Sequence, residues 1–194
     1  LEKVAEREEK IENRNMEFYE ILMHPVDKAL EMIEHIMNNE PDKALTLLEI
    51  LNKQNPGKPE ILEIMGLVYN EKNRTEDAKK CFIQAASALG PKSVSPNVHL
   101  SVLFQNERNY VEALSYLLAA DKNSASEING LKKAIGDLYF KTEELYKAED
   151  YYLQELKISG YDINLLKDLQ QVYLLKGEVE KLSRIESLIE KYNH

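Results

Sequence analysis

The chain has 194 residues, 43% apolar and 30% charged, with a net charge of −9. That balance excludes a disordered chain, and the acidic excess spread along the sequence argues against a partner held by its phosphate backbone. Seven Gly and six Pro are too few for a loop-rich β protein, Cys81 alone permits no internal disulfide, and no apolar run approaches a membrane span.

The first element is residues 1–23, LEKVAEREEKIENRNMEFYEILM, read as an amphipathic helix. Leu1, Val4, Ile11, Phe18 and Leu22 form a weak heptad stripe that Glu8 and Asn15 interrupt. Such a helix caps the next helix pair, pairs with a second copy, or ends a longer upstream segment. The opening residue is Leu1, not Met, which leaves room for a removed signal or anchor; the lone cysteine and the missing signal-peptide pattern suit a cytoplasmic setting.

From residue 24 to 194 the chain reads as one domain of about five helix pairs. Ala44, Ala78, Ala113 and Ala148 recur at separations of 34, 35 and 35, each followed four residues later by Leu48, Phe82, Leu117 or Tyr152. Nine residues before them stand His35, Tyr69, Phe104 and Tyr139, and twelve before stand Met32, Gly66, Ser101 and Gly136. A degenerate fifth copy carries Tyr173, Gly177 and Leu182. Polar breakers split each copy, placing second helices near 41–54, 75–88, 109–121, 144–158 and 178–192. Thr142 is expected to cap the fourth of these, with Glu143 and Glu144 in its first turn. Pro56, Gly90-Pro91 and Gly160 are expected to end copies. The last helix gathers Val179, Leu182, Ile185, Leu188, Ile189 and Tyr192 on one side and backs them with Lys181, Arg184 and Glu190, as a terminal cap needs.

A Gly inside a helix costs roughly 1 kcal/mol against Ala. Its recurrence at Gly66 and Gly136 therefore predicts a close approach by a neighbouring backbone or bulky side chain.

The best copy, Leu62-x-x-Met65-Gly66-x-x-Tyr69 followed by Ala78, Phe82, Ala85 and Gly90-Pro91, resembles the tetratricopeptide repeat (TPR) family, and the resemblance extends over about residues 25–192. It implies an all-α, right-handed α-solenoid of antiparallel helix pairs with an extra N-terminal helix. Copy one departs at Met32 and His35, copy four at Glu155 and copy five at Leu182. The spacing of 35 also raises the RNA-reading pentatricopeptide repeats, which the acidic balance and the tyrosine-rich first helices disfavour.

Chemistry-bearing residues are sparse. His24, His35, His99 and His194 form no metal-binding spacing. His35 replaces a core aromatic and is expected to pack, and Cys81 beside Phe82 reads as a half-buried structural thiol. GPKS at 90–93 lacks the glycines and strand of a phosphate loop. Asn73-Arg74-Thr75 fits a glycosylation spacing but reads better as a turn and helix start. No cofactor, metal or catalytic set is expected.

The TPR resemblance implies work done by a groove that first helices line. Helical phase places Glu63, Leu67 and Asn70 there from copy two, and Val98, His99, Val102 and Asn106 from copy three. Lys133, Asp137, Phe140 and Lys141 follow from copy four, and Lys167 and Gln171 from copy five. The expected partner is a protein or peptide with apolar anchors and an acidic stretch, not nucleic acid and not an inserted membrane, bound by a monomer or by a homodimer formed through the N-terminal helix. The carboxylate clamp of TPR chaperone adaptors is absent: its positions hold Ala29, Ile33, Ile64, Ser95 and His99. The readings in order are an interaction scaffold, a client-specific chaperone or export adaptor, and a regulatory domain of a larger protein.

Overall fold

The computed structural model describes residues 16–124 and 128–192. Every regular element among them is helical. Most of the expected N-terminal helix, residues 1–15, lies outside the described residues; 16–22 are helical. Contacts group the chain into two units, Leu1–Gly90 and Pro91–His194.

The first unit holds α1 (Val26–Met37), α2 (Pro41–Gln54), α3 (Pro59–Glu71) and α4 (Thr75–Leu89). Each first helix packs chiefly on the helix that follows it. Prolines open α2 and α3 at positions where an amide hydrogen has no helical partner. The core joins Ala29, Leu30 and Ile33 of α1 with Leu47, Leu48 and Leu51 of α2, Ile61 and Val68 of α3, and Ala78, Phe82 and Ala85 of α4.

The second unit holds α5 (Val94–Asn106), α6 (Tyr110–Asn123), α7 (Leu131–Lys141), α8 (Leu145–Ser159), α9 (Ile163–Lys176) and α10 (Val179–Tyr192). Its core gathers Ala113, Leu117, Ile135, Leu138, Ala148, Tyr152, Leu165, Leu166, Leu169, Val172 and Ile185. Leu182, Leu188 and Ile189 pack against it, but Val179 and Tyr192 are exposed, and Tyr192 stacks on Tyr161 with centroids 4.8 Å apart.

The close approach at the helical glycines is explicit. A Cβ on Gly66 would lie 2.6 Å from the Phe82 ring, and one on Gly136 would lie 2.6 Å from the Tyr152 ring. Ala44, Ala78, Ala113 and Ala148 are all fully buried, so the recurring small residues mark where paired helices come closest.

One turn recurs in four copies. Asn73, Arg108, Glu143 and Gly177 have φ of 57°, 60°, 62° and 69°. The next amide in each donates back to the aromatic of the first helix: Arg74 to Tyr69, Asn109 to Phe104, Glu144 to Tyr139 and Glu178 to Tyr173, at 2.8–3.0 Å. This is the Schellman ending, which satisfies carbonyls that a helix terminus leaves open.

Two expectations fail. Thr142 does not start α8. It ends α7, and its hydroxyl donates to the carbonyls of Leu138 and Tyr139. The left-handed Glu143 follows, and Glu144 precedes the first helical residue. His35 is exposed rather than packed. Helix α1 ends at Asn38 in a right-handed conformation, without the turn of the other copies, and buries Ala29, Leu30 and Ile33 instead of the stripe that the repeat register implies.

Candidate functional site

In the first unit the expected groove positions lie along α3. Glu63 and Leu67 are half-buried and Asn70 is exposed, while their neighbours Ile64, Met65, Val68 and Tyr69 are buried. Ala29 and Ile33 are fully buried and Ile64 is buried, so none of these clamp positions offers a cation to a terminal carboxylate.

In the second unit the expected positions fall on α5, α7 and α9. On α5, Val98 and His99 are half-buried, Val98 against the core; Val102 is 46% exposed and Asn106 is exposed. On α7, Lys133 is not a free charge. Its Nζ lies 3.0 Å from both Asp137 oxygens and 2.9 Å from Asp168, and the Tyr152 hydroxyl donates to Asp137 at 2.9 Å. Burial works against the Lys133 charge, but hydrogen bonding to Asp168 and Asp137 outweighs it and raises the ammonium above the ordinary lysine range. Burial first, then the charge of Asp137, lifts the Tyr152 phenol far above its ordinary range, so it stays a neutral donor. Phe140 is half-buried against the core, and Lys141 is exposed with Nζ 5.2 Å from the Tyr110 ring centroid.

Lys167 and Gln171 are exposed on α9. Two residues that the sequence reading missed continue this face. Leu174 is 57% exposed, and Leu175 is also exposed. The buried stripe of α9 is Leu165, Leu166, Leu169, Val172 and Tyr173, which leaves the two leucines outside it. The signal was present: Phe140 and Lys141 advanced by the 34-residue spacing land on Leu174 and Leu175.

Other polar groups serve the fold. Glu155, the large residue at a normally small position, is 3% exposed and accepts from the amides of Gly130 at 2.7 Å and Lys133 at 3.3 Å. A side chain from α8 thus covers the open N-terminus of α7, where a carboxylate also complements the helix dipole. Glu149 meets Lys176 and Lys181, and Glu178 meets the same two lysines. Burial opposes the Glu149 charge, yet hydrogen bonds from Lys176 and Lys181 hold its carboxyl below the ordinary range. Cys81 is buried, and burial followed by the nearby Asp77 carboxylate pushes its thiol up to about 11, leaving it protonated and unreactive at neutral pH. Among the described residues, no three His, Cys, Asp or Glu side chains gather to hold a metal ion, and no helix is long and apolar enough to cross a membrane.

No family model matches the chain, and no curated protein matches it. Solved structures do. MamA 41-end from Desulfovibrio magneticus RS-1 superposes with a TM-score of 0.68 at 15% identity, covering 83% of this chain and 90% of that one. PilF of Pseudomonas aeruginosa superposes at 0.67 and 14% identity, covering 98% and 89%. A chain of the Naa15/Naa10 assembly bound to HypK-THB superposes at 0.67 and 19% identity, covering 84% of this chain and 24% of that one. At these identities the likeness is one of fold: an all-α, TPR-like arrangement of tandem antiparallel helix pairs.

Proposed function

We propose that the chain is a non-catalytic scaffold that binds a peptide or helix of a partner protein on the face made by its first helices. The observation that carries this reading is the pair of exposed apolar side chains Val102 on α5 and Leu174 on α9, with Leu174 in the repeat register of Phe140 on the intervening α7. Apolar side chains carried by successive repeats suit anchors spaced along one partner segment. Asn106 and Gln171 lie exposed on the same helices and supply hydrogen-bonding groups. With Lys133 neutralised by Asp137 and Asp168, only Lys141 and Lys167 remain to meet an acidic stretch, so the apolar anchors dominate recognition. A second supporting fact is the fold that this chain shares with the Naa15/Naa10 assembly, whose solved form is bound to HypK-THB.

The test is affinity capture from the source cell with wild type and a Val102→Glu/Leu174→Glu variant. Both positions are exposed, so the variant keeps the wild-type helical circular dichroism and melting. A protein held by wild type and lost by the variant is expected. Equal retention by both would overturn the assignment of this face.

A further inference from the structure

The last helix pair of the second unit is joined by an unusually short turn. Three residues separate the helices within the pairs α5–α6 and α7–α8, whereas Gly177 and Glu178 alone separate α9 from α10. Exposed apolar side chains flank that turn: Leu175 is 61% exposed and Val179 is 74% exposed. Val179 opens α10, in a first turn where acidic and polar residues are favoured.

Helix α10 is also the least anchored second helix of this unit. Helices α6 and α8 pack on their own first helix and on the first helix that follows, whereas α10 packs chiefly on α9. Its one buried side chain is Ile185, with Leu182, Leu188 and Ile189 half-buried beside it. Two polar contacts complete the seat. Lys181 reaches Glu149 of α8 at 2.7 Å, and Gln170 of α9 donates to Glu186 at 3.3 Å.

The turn costs little to straighten. Gly177 has a φ of 69°, and Gly takes a helical backbone about as readily as the left-handed one. The Gly177 and Glu178 amides, which donate to Leu174 and Tyr173 in the turn, gain new carbonyl partners in a continuing helix. At about 3.6 residues per turn, the buried stripe of α9 and the Leu182, Ile185 and Ile189 stripe of α10 would then lie on opposite sides of one helix. Two copies can therefore sit on such a helix without collision. Leu175 and Val179, one turn apart, lie between the two stripes.

From this arrangement we infer that α10 is an exchangeable arm. The α9–α10 hairpin opens into one helix, and α10 of each copy takes the α10 seat of the other, forming a two-fold dimer. Leu175 and Val179 of one copy then pack against Val179 and Leu175 of its partner. The closed chain itself fixes the occupant, because the contacts that seat α10 re-form between chains: Ile185 in the core, Lys181 with Glu149, and Glu186 with Gln170. The Lys176–Glu178 pair across the turn is given up, and the burial of Leu175 and Val179 is gained. Charge permits the approach. Residues 176–184 carry three basic and two acidic side chains, and Glu149 takes Lys176 and Lys181, so this region escapes the repulsion expected of a chain with net charge −9.

The test is size-exclusion chromatography with light scattering on the full chain, refolded from urea at high protein concentration. Wild type is expected to yield a dimer beside the monomer. Gly177→Ala penalises the left-handed turn, and with it the closed form alone, so the dimer dissociation constant should fall at least about tenfold. Inserting Gly-Ser-Gly-Ser after Gly177 lets the hairpin close freely and should leave monomer only. Leu175→Ser/Val179→Ser, changed at exposed positions, should raise the dissociation constant about tenfold while the circular dichroism of the monomer stays unchanged. A Cys81→Ala/Gln170→Cys/Glu186→Cys chain treated with a short bismaleimide separates exchange from a surface dimer. The exchanged dimer should run as a covalent dimer on a denaturing gel, and the monomer as a single chain. Monomer alone for both wild type and Gly177→Ala, or a dimer whose chains separate on that gel, would overturn the inference. So would a dimer that the insertion or the serine variant leaves unchanged.

Discussion

Replacing Gly66 by Ala is the sharpest trial of the packing logic. In an open helix this change stabilises by roughly 1 kcal/mol, because Ala loses less backbone entropy. Here the added methyl would lie 2.6, 2.7 and 2.9 Å from three carbons of the Phe82 ring. Carbon atoms rest about 3.5–4.0 Å apart, so the ring must withdraw by about 1 Å. Phe82 is 1% exposed and cannot swing into solvent. Overpacking of this kind costs about 1–3 kcal/mol, and subtracting the helical gain leaves a net loss of roughly 0–2 kcal/mol. The same junction one copy later supplies the remedy, since Ser101 there stands opposite Leu117 in the repeat register. Phe82→Leu alone should cost about 1–2 kcal/mol through lost burial. In the double variant the methyl occupies space that the ring has vacated, and the two costs should not add.

The assay is urea unfolding of wild type, both single variants and the double, followed by circular dichroism because the chain has no Trp. The expected coupling is favourable by at least about 1 kcal/mol, well beyond the roughly 0.3–0.5 kcal/mol within which independent sites add. Stabilisation by Gly66→Ala alone, or additive costs, would falsify the claim that Gly66 exists to admit Phe82.

Three other outcomes rest on single groups. Glu143 holds a left-handed φ of 62° that costs a residue with a Cβ about 1–2 kcal/mol, against which the extra backbone entropy Gly loses on folding sets about 0.5–1 kcal/mol, so with a net gain of about 1 kcal/mol Glu143→Gly should raise Tm by about 2–4 °C in a thermal melt, and Asn73→Gly by less because Asn tolerates that conformation. Glu155→Ala should cost about 1–3 kcal/mol and speed hydrogen exchange at the Gly130 and Lys133 amides, whereas Glu155→Gln, which keeps an acceptor, should cost less. The Glu149 carboxyl is held below its ordinary value of 4.5, so the stability it contributes is complete above that pH and is lost as pH falls through its lower folded value. The stability advantage of wild type over Glu149→Gln should therefore shrink in acid titrations below about pH 4.5 and stay level from about pH 5 to 7.

The all-helical repeat was legible because packing forces it into the sequence. A small residue at Gly66 or Gly136 is meaningful only with a ring sixteen residues later, at Phe82 or Tyr152, and both members of each pair appear in the composition of the copy. The turns were less legible. Residue type made Thr142 look like a helix start, but the decisive variable is the backbone of Glu143, whose side chain gives no hint of a left-handed φ. His35 was misplaced because the register was carried into a copy whose first helix ends differently, and a helix that rotates exchanges its buried and exposed faces.

The expected groove divides on similar grounds. Exposure of Val102, Asn106, Lys141, Lys167 and Gln171 follows from helical phase, because burial on a helix depends mostly on angle. Charge does not follow from phase. Lys133 had one neutralising partner within its own helix, Asp137 at i+4, and another one repeat away, Asp168. In a tandem array the residue one repeat on is a spatial neighbour, so an exposed-looking lysine must be read against the next copy as well as its own. Applied along α9, the same rule finds Leu174 and Leu175 facing outward where a solvated helix would carry polar side chains. For the proposed partner-binding face, the carboxylates beside Lys133 and the leucines beyond Gln171 favour an apolar segment over an acidic one.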